Sequence, residues 1–353
     1  MNLYLENGYL NFPKLREFAK KHNIKFVYIV GARGIGKTYG AVESFLVSEP
    51  SPFLFMRRTQ KQADIIGNPR FSPFTKPLSK HGKKVLLENI DKVDGVKSIH
   101  VLDVGDDEDD PGPVMGYTCA LSTFSNVRGF NADENTDIVF DEFIPEKHEH
   151  PIKNEAEAFF NAYESINRNR ELEDPPRPAV TAFCLANSND LGNPIFMFAG
   201  HVQTCLNMRK KHQDVFIDFK RHYMIIMPEE SPISEGKKNT VLYEYLGTDN
   251  TFSDMSLSNI FKDEKDVRTI SRPLKEYRPI VTVGELTIYK HKANERPLYG
   301  TFHRSGSCPV YGGSDTELKR FSGKYCWLWN AYMLDRVEFE DYGAQLLFER
   351  YFK

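Results

Sequence analysis

The chain has 353 residues, 40% of them hydrophobic and 27% charged, with a formal net charge of −3. That balance excludes wholesale disorder, and the length suggests two domains with a small module between them. The near-neutral charge carries no chain-wide nucleic-acid signature, so any DNA or RNA contact must come from a local patch. The five cysteines are Cys119, Cys184, Cys205, Cys308 and Cys326. Their spacing holds no CxxC metal motif, and an odd count argues against a disulfide framework, which fits a reducing cytoplasm. The opening stretch MNLYLENGYLNFPKLREF lacks the basic and apolar regions of a signal peptide, and no apolar run approaches a membrane span.

In chain order, 14–22 predicts a short amphipathic helix. FVYIV (26–30) predicts a buried strand that feeds the glycine-rich loop GARGIGKT, and TYGAVESFLV (38–47) the helix after it. FLFM (53–56) predicts a second buried strand, ending in Arg57-Arg58. Thr59 is placed to cap the helix that starts in TQKQADII. Residues 85–104 predict a hairpin turning at Asp94-Gly95. GDDEDDPGP (105–113) is too acidic and too rich in proline and glycine to pack, and reads as a solvated loop. YTCALSTF (117–124) and DIVFDEF (137–143) predict further strands, the second ending in two carboxylates. Residues 154–170 predict a helix with Ala156, Phe159, Phe160, Tyr163 and Ile166 on one broad face. EDPPRP breaks it, and AVTAFCLAN (179–187) predicts a buried strand with a polar tip. Apolar strands alternating with helices predict an α/β domain with a mainly parallel sheet. After about residue 215 the pattern changes. A strand-like run (DFKRHYMIIMPEE) is followed by a polar, helical stretch over 240–272. A hairpin around Gly284-Glu285 comes next, then aromatic-rich helices over 324–351. Phe348, Tyr351 and Phe352 follow an amphipathic spacing and predict core positions. The domains are expected at 1–205, 206–250 (a linker or lid) and 251–353.

Gly31-Ala-Arg-Gly-Ile-Gly-Lys-Thr38 fits the phosphate-loop pattern GxxxxGK[ST], in the strand–loop–helix setting the pattern requires. Its glycines let backbone N–H groups wrap a phosphate at a helix N-terminus. Gly31, Arg33, Gly34, Gly36, Lys37 and Thr38 are the candidate nucleotide-binding residues. Lys37 can reach the β- and γ-phosphates, and the Thr38 hydroxyl can ligate Mg2+. Such a site needs a carboxylate on a neighbouring strand tip to hold the metal, and Asp141 suits that role. Glu142, directly after it, is the candidate base that activates the attacking water. Asn187, at another strand tip, is a candidate γ-phosphate sensor. Arg168 closes a helix, where a cation is favoured by the dipole alone. The sharper reading is an arginine finger reaching a neighbouring subunit's nucleotide.

The blocks VYIVGARGIGKTYG, FLFMRR, TDIVFDEFIPEK, INRNRE and FCLANSNDLGNPIFMF, in that order across 25–200, resemble the genome-packaging ATPases of phi29-like short-tailed phages. The likeness continues more weakly through WNAYMLDRVEFEDYGAQLLFERYF. STFSNVRGFNADENTDIVFDE is similar to the segment before the acidic pair in large terminases generally. The resemblance implies an ATPase domain of the additional-strand catalytic-glutamate class, a small linker or lid, and an RNase H-like carboxyl-terminal domain. It implies a homomeric ring of five subunits at the capsid portal, driven by ATP and Mg2+ and threading double-stranded DNA into a procapsid in the host cytoplasm. A structural packaging RNA is an added partner in the phi29 relatives. Carried over by position, Lys37 and Thr38 are nucleotide ligands, Asp141 and Glu142 the metal-holding and catalytic pair, Arg168 the trans-acting arginine and Asn187 the polar sensor. Arg57 and Arg58 match an arginine pair. The lysine that follows that pair in the family is Gln60 here, with Lys61 beside it.

An RNase H-like nuclease needs three or four carboxylates on strand ends to hold two metals. IVTV (280–283) has none, Glu285 falls in a turn, and Asp315 and Asp335 are far apart, so no nuclease is expected. Lys290, Lys292, Arg296, Arg304, Lys319 and Arg320 could line a nucleic-acid or portal contact, or a solvated surface. The other reading of the chain is a P-loop kinase or another P-loop NTPase not acting on DNA. Glu142 argues against the kinase, since phosphoryl transfer to a bound hydroxyl must exclude water. The lack of an NKxD-type guanine motif argues against a regulatory GTPase.

Overall fold

The computed structural model describes residues 3–352 apart from 69, 92, 125–136, 146–148, 150–151, 188–189, 229–231, 234–235, 237–238 and 247–269. The chain forms two compact units, Met1–Asn189 with Gln213–Ile260, and Asp190–His212 with Phe261–Lys353.

In the first unit the strands, among the described residues, are β1 Phe26–Val30, β2 Phe53–Arg57, β3 Lys83–Ile90, β4 Val93–Asp103, β5 Gly116–Ala120, β6 Asp137–Asp141, β7 Thr181–Ala186, β8 Val215–Asp218 and β9 Tyr223–Ile226. They make one sheet in the order β3-β4-β5-β2-β6-β7-β1-β9-β8. From β5 to β9 every neighbouring pair is parallel, while β3, β4 and β8 add antiparallel pairs at the two edges. This is the mainly parallel α/β fold that the alternation of strands and helices predicts. All six residues of β7 are buried, because a central parallel strand is covered on both faces. On one face Phe183 packs against Phe12 and Phe45, at ring distances of 5.2 and 6.0 Å. On the other, Phe140 of β6 stacks on Phe159 of the helix Glu155–Asn167 at 5.3 Å.

The units part from the expected domains in two places. Residues 190–205 were expected in the ATPase domain and 206–212 in the linker or lid, but all of them cluster with the carboxyl-terminal unit. Their helix Val202–Lys210 is seated there closely: a Cβ added to Gly343 would lie 1.9 Å from Leu206. The run around 215–226 was expected in the linker or lid, yet it forms the β8–β9 hairpin of the large sheet. β9 is fully buried and pairs in parallel with β1, so its apolar residues complete the core. A third difference is local. Ile90 pairs with Val93, so the two strands meet ahead of Asp94-Gly95, where the turn was expected. Gly95 lies inside β4 at φ +82°, where the register shifts, and marks a bulge. The acidic segment 105–113 is an exposed loop of turns, as expected.

The second unit holds a five-stranded sheet, β13-β10-β11-β12-β14. It comprises β10 Tyr277–Val283, β11 Leu286–His291, β12 Leu298–Thr301, β13 Val310–Tyr311 and β14 Val337–Phe339. β10, β11 and β12 form an antiparallel meander that turns at Gly284-Glu285, and β13 and β14 run parallel to their partners on either side. Helices Asp315–Lys324, Cys326–Met333 and Tyr342–Phe352 complete this smaller α+β body. Phe348 and Tyr351 are buried, and Phe352 is half-buried. β14 was not anticipated; it is three residues long and lies between aromatic helices. No described helix is long and apolar enough to cross a membrane.

Candidate nucleotide-hydrolysis site

Parallel strands deliver their carboxyl-terminal tips to one edge of the sheet. The register aligns those of the central strands: Asp141 sits opposite Leu185, and Ala186 opposite Val30. The loop after β1 is tied to this edge by the Gly31 N–H, which donates to the Ala186 carbonyl at 3.2 Å. It then turns through Gly34 and Gly36 in left-handed conformations, at φ +79° and +88°. Gly36 is doubly required, since a Cβ there would also meet the Tyr9 ring at 3.0 Å. It begins the helix Lys37–Glu43 without a side-chain cap, which leaves the first-turn amides for an anion.

Lys37 is buried, and its Nζ donates to the Gly31 and Ala32 carbonyls at 2.8 and 2.9 Å. The ammonium thus lies across its own loop. The Thr38 hydroxyl donates to Asp141 at 2.9 Å (Oδ1) and 3.0 Å (Oδ2). These residues are 103 apart in sequence, and the sheet order alone brings them together. Asp141 is almost wholly buried, and burial pushes its carboxyl above the ordinary range. The Arg57 guanidinium opposes that shift, Glu142 adds to it, and the Thr38 hydroxyl and Lys37 oppose it further. Glu142 follows in a left-handed conformation (φ +60°) with a side chain 40% exposed. A hydroxyl and a carboxylate with a second carboxylate beside them form a hard-oxygen donor set suited to Mg2+. Together with the lysine-bearing loop they fit a magnesium–nucleotide complex.

The sequence reading gave Arg57 no role. It salt-bridges both carboxylates, NH2 to Asp141 at 2.8 Å and NH1 to Glu142 at 2.5 Å. A local signal existed: an arginine directly after a buried strand, in a sheet where another strand ends in two acids. Arg33 is exposed on the loop. Asn187 follows β7 directly, so the register sets it beside the loop after β1 and the tip of β6.

Arg168 is not at this edge of its own chain. The helix Glu155–Asn167 runs back across the sheet, and the Asn167 side chain accepts from the Val180 N–H at the start of β7. A 13-residue helix is about 20 Å long. Arg168, exposed and left-handed at φ +45°, therefore stands at the opposite edge from Asp141. Arg170, two positions on, is buried and donates to the Ile166 and Asn167 carbonyls at 3.3 Å. It closes the helix end and is no substitute for Arg168. Residues 125–136, including most of the terminase-like STFSNVRGFNADEN stretch, lie outside the described residues.

In the second unit, Glu285 accepts the N–H groups of Val202 and Gln203 at 3.0 and 3.2 Å. Its carboxylate caps a helix. Asp315 opens a helix behind the Ser314 cap, and Asp335 lies in a left-handed turn. Among the described residues no three His, Cys, Asp or Glu side chains are grouped to hold a metal. Of the basic residues, Arg296 pairs with Glu276 at 2.9 Å and Lys292 donates to the Lys275 carbonyl.

The family model for the Podovirus DNA encapsidation protein (Gp16) matches residues 107–283, half of the chain. The chain belongs to this family. The matched stretch holds Asp141, Glu142, Arg168 and Asn187, and starts after the glycine-rich loop. Curated relatives named DNA packaging protein are 26% identical over 246 residues in Bacillus phage B103 and over 251 residues in Bacillus phage phi29. Each match covers 68% of this chain, which spans 65% and 63% of the lengths of those two relatives. Among solved structures, the Phi-28 gp11 DNA packaging motor superposes with a TM-score of 0.59 at 19% identity, covering 96% of this chain and 97% of that one. A chain of the bacteriophage Phi-29 genome packaging motor assembly gives 0.56 at 17% identity, with 98% and 99% covered. At these identities the shared property is the fold of the family.

Proposed function

We propose that this chain is an ATP-hydrolysing motor subunit that moves double-stranded DNA into a viral procapsid. The observation that carries the reading is the Thr38–Asp141 bond between the glycine-rich loop and the neighbouring strand tip, with Glu142 next in line. Membership of a DNA encapsidation family supports the substrate. In this reading the loop amides and Lys37 hold the β- and γ-phosphates, and Thr38 and Asp141 hold Mg2+. When bound, the metal neutralises charge on those phosphates. Glu142 takes the proton of the attacking water, and Arg57 holds that carboxylate in place by its salt bridge. Asn187 positions the water or senses the γ-phosphate. Arg168 completes the site of the neighbouring subunit, which requires a homomeric ring. The ring would be a pentamer at the portal, working in the host cytoplasm, with a packaging RNA as further partner.

The test is DNA-dependent ATP turnover by the full chain, followed by DNA uptake into procapsids of its own phage. Lys37→Ala removes one charge-assisted phosphate contact, so nucleotide affinity should fall about 10–100-fold. Wild-type affinity in a nucleotide titration would sink the loop assignment. Wild-type protein that turns over ATP but takes up no DNA would leave an ATPase of another purpose.

The second unit is proposed to cut no DNA, because Glu285 is committed to a helix cap. Plasmid incubated with the protein and Mn2+ should stay supercoiled. Nicking that survives repurification and is lost in Asp315→Asn overturns this.

A further inference from the structure

Arg57 is the last residue of β2 and Arg58 follows it directly, and successive residues of an extended chain point to opposite sides. Arg57 turns to the acidic pair. Arg58 is wholly buried and turns to the helix that carries Arg168. Its Nε and NH2 donate to the two carboxylate oxygens of Glu155 at 2.6 and 3.0 Å, and its NH1 to Glu149 at 2.9 Å. Glu149 is held in turn by Gln62 at 2.7 Å. Gln62 completes a capping box with Thr59, directly after the arginines. Glu155 is buried and is the first residue of the helix Glu155–Asn167, whose far end is Arg168.

A bidentate pair of this kind fixes direction as well as distance. Buried ion pairs add little to stability over apolar substitutes, so this one is better explained by what it positions. We infer that the Arg58–Glu155 clamp is the fixed end of a rod, and that it sets where Arg168 is presented to the next subunit. The inference rests on the trans role of Arg168 proposed above. Arg58 is then a positioning residue: one strand tip holds its own hydrolysis centre through Arg57 and, through Arg58 and a helix about 20 Å long, aims the arginine that serves the neighbour's. A misplacement of 1 Å at a reacting group can cost about 10²-fold in rate.

The test compares ATP turnover at low protein concentration, where subunits are apart, with turnover by assembled rings. Arg58→Met with Glu155→Met replaces the pair by apolar side chains of similar length, which preserves packing. The variant should keep the low basal rate, the nucleotide affinity and the melting temperature. It should lose about 10²-fold of the assembly-dependent gain. Should the double variant not fold, Glu155→Gln keeps the side-chain shape, and its smaller loss should fall on the same assembly-dependent part alone. A full gain in assembled rings overturns the clamp. So does an equal loss of basal rate, which would mean that Arg58 serves its own site. Arg168→Ala is run beside it. A gain that depends on Arg168 but survives the clamp variants refutes the clamp alone, while a gain indifferent to Arg168 refutes the trans reading and the clamp with it.

Discussion

Glu142→Gln should keep nucleotide binding and lower hydrolysis by about 10²–10⁴-fold, the range a positioned general base supplies. The substitution preserves shape and removes only the capacity to accept a proton. Binding should survive because the groups proposed to hold the phosphates, the loop amides and Lys37, and those proposed to hold the metal, Thr38 and Asp141, are left in place, with Asp141 keeping its Thr38 and Arg57 partners. The bridge from Arg57 NH1 to Glu142 becomes a hydrogen bond to a neutral amide. Single-turnover hydrolysis and nucleotide titration, measured side by side, separate the two effects. Loss of binding along with hydrolysis would assign Glu142 to the architecture of the site and leave the base unassigned.

Arg168→Ala should leave binding by the monomer unchanged and remove the gain that assembly brings, about 10³–10⁵-fold for a guanidinium that meets developing charge on the γ-phosphate. The geometry makes the prediction sharp. In its own chain Arg168 is at the far edge of the sheet from Asp141, so a direct effect on hydrolysis must come from another subunit. Mixing Glu142→Gln with Arg168→Ala provides the decisive measurement. Each lacks the fast turnover of assembled rings when alone, but in mixed rings some sites pair an intact Glu142 with an intact Arg168 from the neighbour, and fast turnover should return. Mixed rings that form and stay inactive would refute the trans role.

What the sequence revealed of this site follows contact range. GARGIGKT and the acids after IVF are local patterns whose chemistry is written in adjacent residues, and both stand at the predicted tips. Arg57 escaped assignment because its partners are brought to it only by β2 and β6 lying side by side. The clamp of Arg58 on Glu155 spans 97 positions and leaves no trace in any window. The domain edge was misplaced for a related reason. YMII reads as a strand in any sheet, and only its pairing with β1 assigns it to the first unit. Asp94-Gly95 shows the opposite error, a strong turn signal that the chain uses as a bulge.

β9 lies against β1 although almost two hundred residues separate them, and this governs how the chain can be divided. Cutting after residue 205, where composition alone would cut, strips β9 away. The row of amides and carbonyls along β1 would then face water, beside the loop that holds the phosphates. An uncovered, flat, apolar edge is a template for pairing with another chain. The first unit is therefore discontinuous by necessity: a version of it that stays dispersed has to retain the hairpin at 215–226 as well as residues 1–189.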